Sequence, residues 1–153
     1  MLRPIRFDDA DTLRAIHQTP EVAKWWGTMS DHFPFDEPES TRFAILVEGE
    51  VAGLVQYGEE DEPDYRHAWV DVFVDPRRHG QGHGTDAVMT VVRHLFAERG
   101  HHRVTIDPSL ENKAAIRSYE KAGFTRVGVL RQAERAPEGH WRDALLMELV
   151  SQP

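Results

Sequence analysis

The chain has 153 residues and a net charge of −8, with 26 acidic against 18 basic side chains and no cysteine. A charge of this sign repels nucleic acid and favours cationic partners, whereas the missing cysteines exclude disulfides, zinc–thiolate sites and a cysteine nucleophile. The length is typical of one hydrophobic core, and we expect a single domain over residues 1–153.

Neither a leader peptide nor a membrane span is predicted. Residues 1–6 lack an apolar signal core, and no apolar run approaches the roughly 20 residues that cross a bilayer. We therefore expect a cytoplasmic protein, monomeric or homodimeric, that binds neither membranes nor nucleic acid. Acidic runs at 31–39 and 59–64 favour a cationic substrate, although acidic loops that only keep a protein soluble explain them too.

The first third of the chain predicts a strand, two helices and a hairpin. Residues 2–7 form a strand, and Asp8 or Asp9 is placed to cap a first helix. Pro20 suits the first turn of a second helix at 21–26. The hairpin consists of strands at 41–47 and 51–57 around a Glu-Gly-Glu turn.

Residues 66–74 form the next strand, whose side chains alternate between two faces. One face carries Trp69, Asp71 and Phe73, and the other carries Val70, Val72 and Val74.

A glycine-rich loop then leads into an amphipathic helix that ends at Arg99-Gly100. Glycine leaves no Cβ to hold a ligand off the backbone, and the first N–H groups of a helix have no internal partner. The loop therefore predicts a phosphate site, with simple chain reversal as the alternative. Its residues are His79, Gly80, Gln81, Gly82, His83, Gly84 and Thr85.

The spacing of this loop argues against other ligands. A P-loop continues with Lys and then Ser or Thr, whereas Thr85 and Asp86 follow the last glycine here, and a dinucleotide fingerprint reads G-x-G-x-x-G. His79 and His83 are separated by glycines and have no third ligand at a suitable spacing, so no metal is predicted.

The last third predicts a strand at 103–107, a helix at 112–122 and two strands at 124–130 and 141–149, with a polar turn at 134–139. The order βααβββαβαββ predicts a mixed α/β (α+β) fold with helices on both faces of one sheet.

Two motifs resemble the GCN5-related N-acetyltransferase (GNAT) superfamily, over nearly the whole chain. Gly82 and Gly84 match its acetyl-CoA loop, Arg/Gln-x-x-Gly-x-Gly/Ala, with His79 where Arg or Gln is usual. Residues 112–124 resemble its signature Asn-x-x-Ala-x-x-x-Tyr-x-x-x-Gly-Phe. The resemblance implies the GNAT fold, with six to seven strands and a splayed fourth and fifth pair, and acetyl-CoA as cosubstrate without a metal.

The resemblance also implies which residues hold the cosubstrate. The glycine loop would bind the diphosphate, and backbone N–H groups of Val72, Phe73 and Val74 would bind the thioester and the pantetheine arm. Asn112 would cap its helix and bind the pantetheine amide.

Acetyl transfer needs an uncharged amine and a proton for the departing thiolate. Asp71 is the candidate proton acceptor and also a substrate ligand, and Tyr119 is the general acid that the resemblance implies. Asp107, Trp25 and Trp26 are candidate substrate ligands. Each assignment has a structural alternative. For Asp71 it is a solvated carboxylate on a strand, and for Tyr119 it is a core residue. For Asp107 it is an Asx turn before proline, and for the two tryptophans it is ordinary core packing.

The Asp-Pro-Ser at 107–109 and the Trp-Trp-Gly at 25–27 resemble aminoglycoside 6'-N-acetyltransferases. The implied function is direct acetylation of a small cationic amine, most simply an aminoglycoside 6'-amine, which would confer antibiotic resistance. The alternatives are acetylation of ribosomal-protein N-termini and, outside enzymes, a non-catalytic acyl-CoA-binding sensor domain.

Overall fold

The computed structural model describes residues 1–152, which form a seven-stranded sheet with helices on both faces. The strands are β1 (Leu2–Pro4), β2 (Thr41–Val47), β3 (Glu50–Glu60), β4 (His67–Val74), β5 (Arg103–Ile106), β6 (Thr125–Arg135) and β7 (Trp141–Val150). The helices are α1 (Ala10–His17), α2 (Pro20–Trp26), α3 (His83–Ala97) and α4 (Lys113–Ala122). None of the helices within residues 1–152 has the length and apolar character that crossing a membrane requires.

The strands lie in the order β1-β2-β3-β4-β5-β7-β6. The β4–β5 pair is parallel, and the other neighbouring strands are antiparallel. The predicted mixed α/β fold and the predicted order of helices and strands are confirmed.

Each face of the sheet has its own core. Val70 and Val74 of β4 pack with α3 and α4, whereas Phe73 packs with Leu13 and Ile16 of α1 on the opposite face. The period of two along β4 therefore separates the side chains as the sequence predicted.

β4 and β5 pair only near their first residues. The register joins Ala68 to Val104 and Trp69 to Thr105, and it goes no further. From Val70 onward the two strands separate, so an opening runs through the middle of the sheet. The splayed pair that the family resemblance implied is confirmed.

The N-terminal strand is shorter than predicted. β1 ends at Pro4, and a 3-10 helix follows at Phe7–Asp9. The Asp9 carboxylate accepts hydrogen bonds from the Arg3 guanidinium and, at 2.7 Å, from the Arg6 N–H. These bonds turn the chain early. They also occupy the carboxylate that was predicted to cap α1. Asp9 stands immediately before that helix, but its side chain makes no capping hydrogen bond to it.

β3 is longer than predicted and continues to Glu60. Glu59 belongs to an acidic run that the sequence assigned to a loop, but its carboxylate accepts hydrogen bonds from Arg99 at 2.8 Å and from His101 at 2.6 Å. The two bonds hold this part of the run against the body of the protein.

β6 also runs past its predicted end, to Arg135. The register against β7 shifts between Leu130 and Glu134, where Gln132 has a φ of 48°. The irregularity breaks the alternation that marks a strand in a sequence, so the predicted turn at 134–139 was wrong at its start. Glu134 lies within the strand instead.

Candidate active site

The opening between β4 and β5 leads into a cavity of about 630 Å³. Its walls come from the ends of β4 and β5, the glycine loop, α4, α2 and β6. All the predicted cosubstrate, substrate and catalytic residues line it except Gln81, whose side chain pairs with His83 at 3.1 Å. The structure thus brings these residues together, while their roles in binding and catalysis stay predictions.

The glycine loop forms a backbone cradle at one end of this cavity. Gly80 and Gly82 have φ values of +76° and +83°, and nothing lies within 4 Å of the place that a Cβ would occupy. The backbone conformation, not crowding, therefore requires glycine. Gly82 precedes α3, and its carbonyl accepts the first bond of the helix from the Asp86 N–H at 3.0 Å. The N–H groups before Asp86 have no partner inside the helix, which fits a bound diphosphate.

His79, which replaces the usual Arg or Gln of the motif, fixes the loop to the sheet. Its Nε2 donates to the Val74 carbonyl at 2.7 Å, at the last residue of β4. The ring therefore positions the cradle instead of extending into it.

Two adjacent arginines before the loop have different surroundings. Arg77 is bound by the Asp75 carboxylate, with its closest contact at 2.7 Å, and is exposed. Arg78 lines the cavity and pairs with Glu50 at 3.2 Å. Sequence reasoning missed Arg78, although a basic side chain next to a predicted phosphate loop is a signal that was available.

The edge of β4 that faces the opening is only partly free. The Val72 N–H donates to the Asp71 carboxylate at 2.9 Å, and the Val72 carbonyl accepts from the Trp26 indole N–H at 3.1 Å. A thioester that binds at this N–H has to displace or share the Asp71 carboxylate.

Asp71 has the most perturbed carboxyl group at the site. Burial raises its pKa to about 7, the hydrogen bond from the Val72 N–H opposes this, and nearby Asp107, Glu134 and Glu37 raise the pKa further. A carboxyl group with this pKa is partly ionised at neutral pH, so it can accept a proton and release it again.

Tyr119 of α4 lines the same cavity and is 8 % exposed. Burial raises the pKa of its phenol, and the negative charge of Asp71 raises it further. The phenol is therefore protonated at neutral pH and can act as a proton donor.

Asn112 stands immediately before α4, and its Oδ1 accepts from the Ala115 N–H at 3.3 Å. The predicted cap is confirmed.

Asp107 and Glu134 make one end of the cavity acidic. Asp107 follows β5 at the exposed rim, where the cavity walls still displace enough water to raise its pKa, and Glu134 raises the pKa further. Glu134 is partly neutralised by an ion pair with Arg142. Sequence reasoning missed Glu134 because it placed the residue in a turn.

Arg142 was also missed, and it joins three walls of the site. The side chain is buried, donates to the Lys24 carbonyl of α2 at 2.7 Å and lies 5.0 Å from the centre of the Trp25 ring. Trp25 is thus held at the cavity wall, whereas Trp26 packs edge-on against Phe73 with ring centres 4.8 Å apart. Trp26 therefore belongs to both the core and the cavity.

Within residues 1–152, no three His, Cys, Asp or Glu side chains are grouped so as to hold a metal ion.

Comparisons with known proteins agree with this geometry. The family model described as the acetyltransferase (GNAT) family matches residues 5–124. Spermidine N(1)-acetyltransferase of Escherichia coli (strain K12) is 26% identical over 157 residues, which cover 95% of this chain and 83% of the relative. Aminoglycoside N(6')-acetyltransferase type 1 of Klebsiella pneumoniae is 29% identical over 133 residues, which cover 71% and 65% of the two chains.

Among solved structures, the aminoglycoside acetyltransferase AAC(6')-Ib in complex with coenzyme A superposes with a TM-score of 0.80 at 26% identity. The match covers 99% of this chain and 95% of that one.

Proposed function

Because this chain belongs to the acetyltransferase (GNAT) family and uses acetyl-CoA as its cosubstrate, we propose that it acetylates a primary amine of a small cationic acceptor. The 6'-amine of an aminoglycoside is the first candidate, and spermidine is of the same chemical class. The observation that carries the proposal is the acidic end of the cavity, where Asp71, Asp107 and Glu134 line the same space as Tyr119. Carboxylates in a partly dehydrated site attract and orient an ammonium group.

The residues present fit acetyl-CoA, which supplies the acetyl group as a thioester. The free N–H groups of the glycine loop and the Arg78 guanidinium would hold the diphosphate. The open edge of β4 and the side chain of Asn112 would hold the pantetheine arm. The donor would then lie along the opening, with its reactive end between Asp71 and Tyr119.

Asp71 would remove the first proton of the reaction. An ammonium has no lone pair, so it must lose a proton before its nitrogen can attack the acetyl carbon. The raised pKa of Asp71, about 7, makes this carboxylate a better proton acceptor than an ordinary one. The proton passes directly or through one water, and Asp71 later releases it to solvent.

Tyr119 would supply the proton that the leaving thiolate needs. As the carbon–nitrogen bond forms and the carbon–sulfur bond breaks, the phenol donates from its Oη to sulfur. The nitrogen then gives up a second proton, which restores the phenol. One ammonium and one thioester thus become one amide, one thiol and one released proton.

Release of free thiol tests the proposal. We expect turnover of acetyl-CoA with kanamycin or spermidine, no turnover with peptides that begin with alanine, and a product heavier by one acetyl group in mass spectrometry. Turnover with the peptides alone would favour N-terminal acetylation of proteins. Binding of acetyl-CoA without transfer to any amine would favour the sensor alternative.

A further inference from the structure

A second cavity, of about 590 Å³, adjoins the first at the opening in the sheet. Asp71 and Asp107 line both cavities. Trp69 of β4 and Gln56 of β3 also line the second cavity, and Gln56 stands in register with Asp71. By the period of two along β4, Trp69 and Asp71 lie on the same face of the sheet as Phe73, which packs with α1 and α2. An acceptor whose amine lies at the two shared carboxylates therefore has room to extend into the second cavity.

The charge of this second cavity has one sign. Four carboxylates line it, those of Asp71, Asp107, Glu37 and Glu39, together with His67, and no arginine or lysine among residues 1–152 does. Arg42 reaches Glu37 from outside the lining, at 3.3 Å, whereas Glu39 forms no ion pair with any of residues 1–152. The cavity therefore attracts a cation beyond the one that reacts.

Buried polar side chains at the cavity wall have bonding capacity left over. Gln56 is 5 % exposed, and its Oε1 accepts from the Arg42 guanidinium at 2.7 Å, which leaves its NH2 group for the cavity. Thr105 is 7 % exposed, and its hydroxyl has no partner among residues 1–152. Neither group is sealed from solvent, since His101 Nδ1 is the one fully buried side-chain N or O atom of residues 1–152 that lacks a partner. Both groups are therefore accessible from the cavity that they line and can bond to polar groups of a ligand there.

We infer that the second cavity holds a second ammonium group of the acceptor, which makes the substrate a polyamine or an aminosugar with several amines. This inference rests on the proposed function, since the first amine is the one acetylated at Asp71. The far ammonium lies near Glu37 and Glu39, and uncharged polar groups of the acceptor contact Gln56 and Thr105.

The test compares amines that differ only in the second charge. The probes are n-butylamine, 1,4-diaminobutane, spermidine and kanamycin, and the measured quantity is kcat/KM for each amine divided by that for n-butylamine. In the wild type, we expect this ratio to be well above one for the amines with more than one charge. Glu39→Gln should lower it about tenfold.

Glu62→Gln is the matched control, because it removes the same charge from an exposed acidic loop that lines neither cavity. Its ratios should equal those of the wild type. Because Glu37 also bonds to Arg42, Glu37→Gln is made only in the Glu39→Gln background, with a thermal melt to verify folding.

The outcomes separate the two proposals. The inference that the second cavity is a cation site is overturned if the kcat/KM ratio is near one in the wild type. It is also overturned if neither Glu39→Gln nor the double variant with Glu37→Gln changes the ratio. In both cases the acetyltransferase proposal stands. Failure to acetylate any amine defeats the proposed function itself. A fall confined to spermidine, or confined to kanamycin, supports the inference and identifies the acceptor as a linear polyamine or an aminosugar.

Discussion

The donor end and the acceptor end of the active site are built in different ways. The proposed donor end is built mainly from backbone groups of one continuous stretch, residues 79–85, between β4 and α3, with the side chains of Arg78 and Asn112 beside it. The acceptor end consists of side chains from α2, β4, β5 and β6, which are far apart in the sequence. Arg142 connects to α2 across 118 positions of the chain.

This difference explains how each end can change. A backbone cradle depends on glycine conformations and on a helix N-terminus, so it tolerates His79 in place of the usual Arg or Gln. A side-chain site depends on the identity of every carboxylate. The donor loop therefore carries the family's motif, and we expect the side chains of the proposed acceptor end to decide which amine is used.

The largest expected effect is at the acceptor end. Asp71→Asn removes the proton acceptor but keeps the size of the side chain, and we expect kcat to fall by about 10² to 10³ at neutral pH. In the wild type, kcat/KM should rise with pH through about 7 as Asp71 ionises. The variant should lack this rise, which a pH series of steady-state rates would reveal. An unchanged profile would mean that another group takes the proton.

The same pKa shift has a consequence for stability. Because the folded state raises the pKa of Asp71 from 3.8 to about 7, it favours the protonated form. The resulting contribution to the free energy of unfolding is fully present below about pH 4, and it is lost as the pH rises through 7. Urea unfolding should therefore show Asp71→Asn gaining stability over the wild type between pH 4 and pH 8.

Tyr119→Phe should have the next largest effect. Removing one hydroxyl from the proton donor should lower kcat about 10²-fold, with a smaller change in the KM values. The buried ring still packs against Phe124, so thermal stability should change little. Pre-steady-state thiol release would distinguish a slower chemical step from slower product release, and a full-rate chemical step would exclude Tyr119 as the acid.

A smaller effect is expected from a change to the donor cradle. Gly82→Ala places a Cβ on a residue with φ +83°, which should cost about 1 kcal/mol of stability and raise the Kd for coenzyme A about tenfold. Gly100→Ala is the matched control, since Gly100 has φ +71° with equal free space, lies beyond the end of α3 and lines neither cavity. Equal destabilisation with weaker coenzyme A binding in Gly82→Ala alone is the expected result of calorimetry. If both variants bound coenzyme A with the same Kd, the glycine loop would not be part of the donor site.

The sequence predicted the two ends unequally for the same physical reason. The glycine loop, the cap at Asn112 and the order of helices and strands depend on local patterns, which a sequence displays directly. Glu134 and Arg142 reach the site only because a bulge at Gln132 extends β6 and because β6 and β7 pair beside the opening. Such placement is tertiary, and no short spacing encodes it.

The smallest expected effect concerns Arg142, a positioning residue that touches no reacting atom. Arg142→Lys keeps the positive charge but loses the planar group that bonds to the Lys24 carbonyl and covers Trp25. We expect the acceptor KM to rise about fivefold, while kcat and the KM for acetyl-CoA stay nearly constant, because only the acceptor wall loosens. The matched control is Arg103→Lys, whose arginine pairs with Glu148 outside both cavities, and its kinetics should be unchanged. A change confined to the acceptor wall leaves the backbone cradle as it was. If the KM values for the acceptor and for acetyl-CoA rise together in Arg142→Lys, the donor and acceptor ends are therefore not independent.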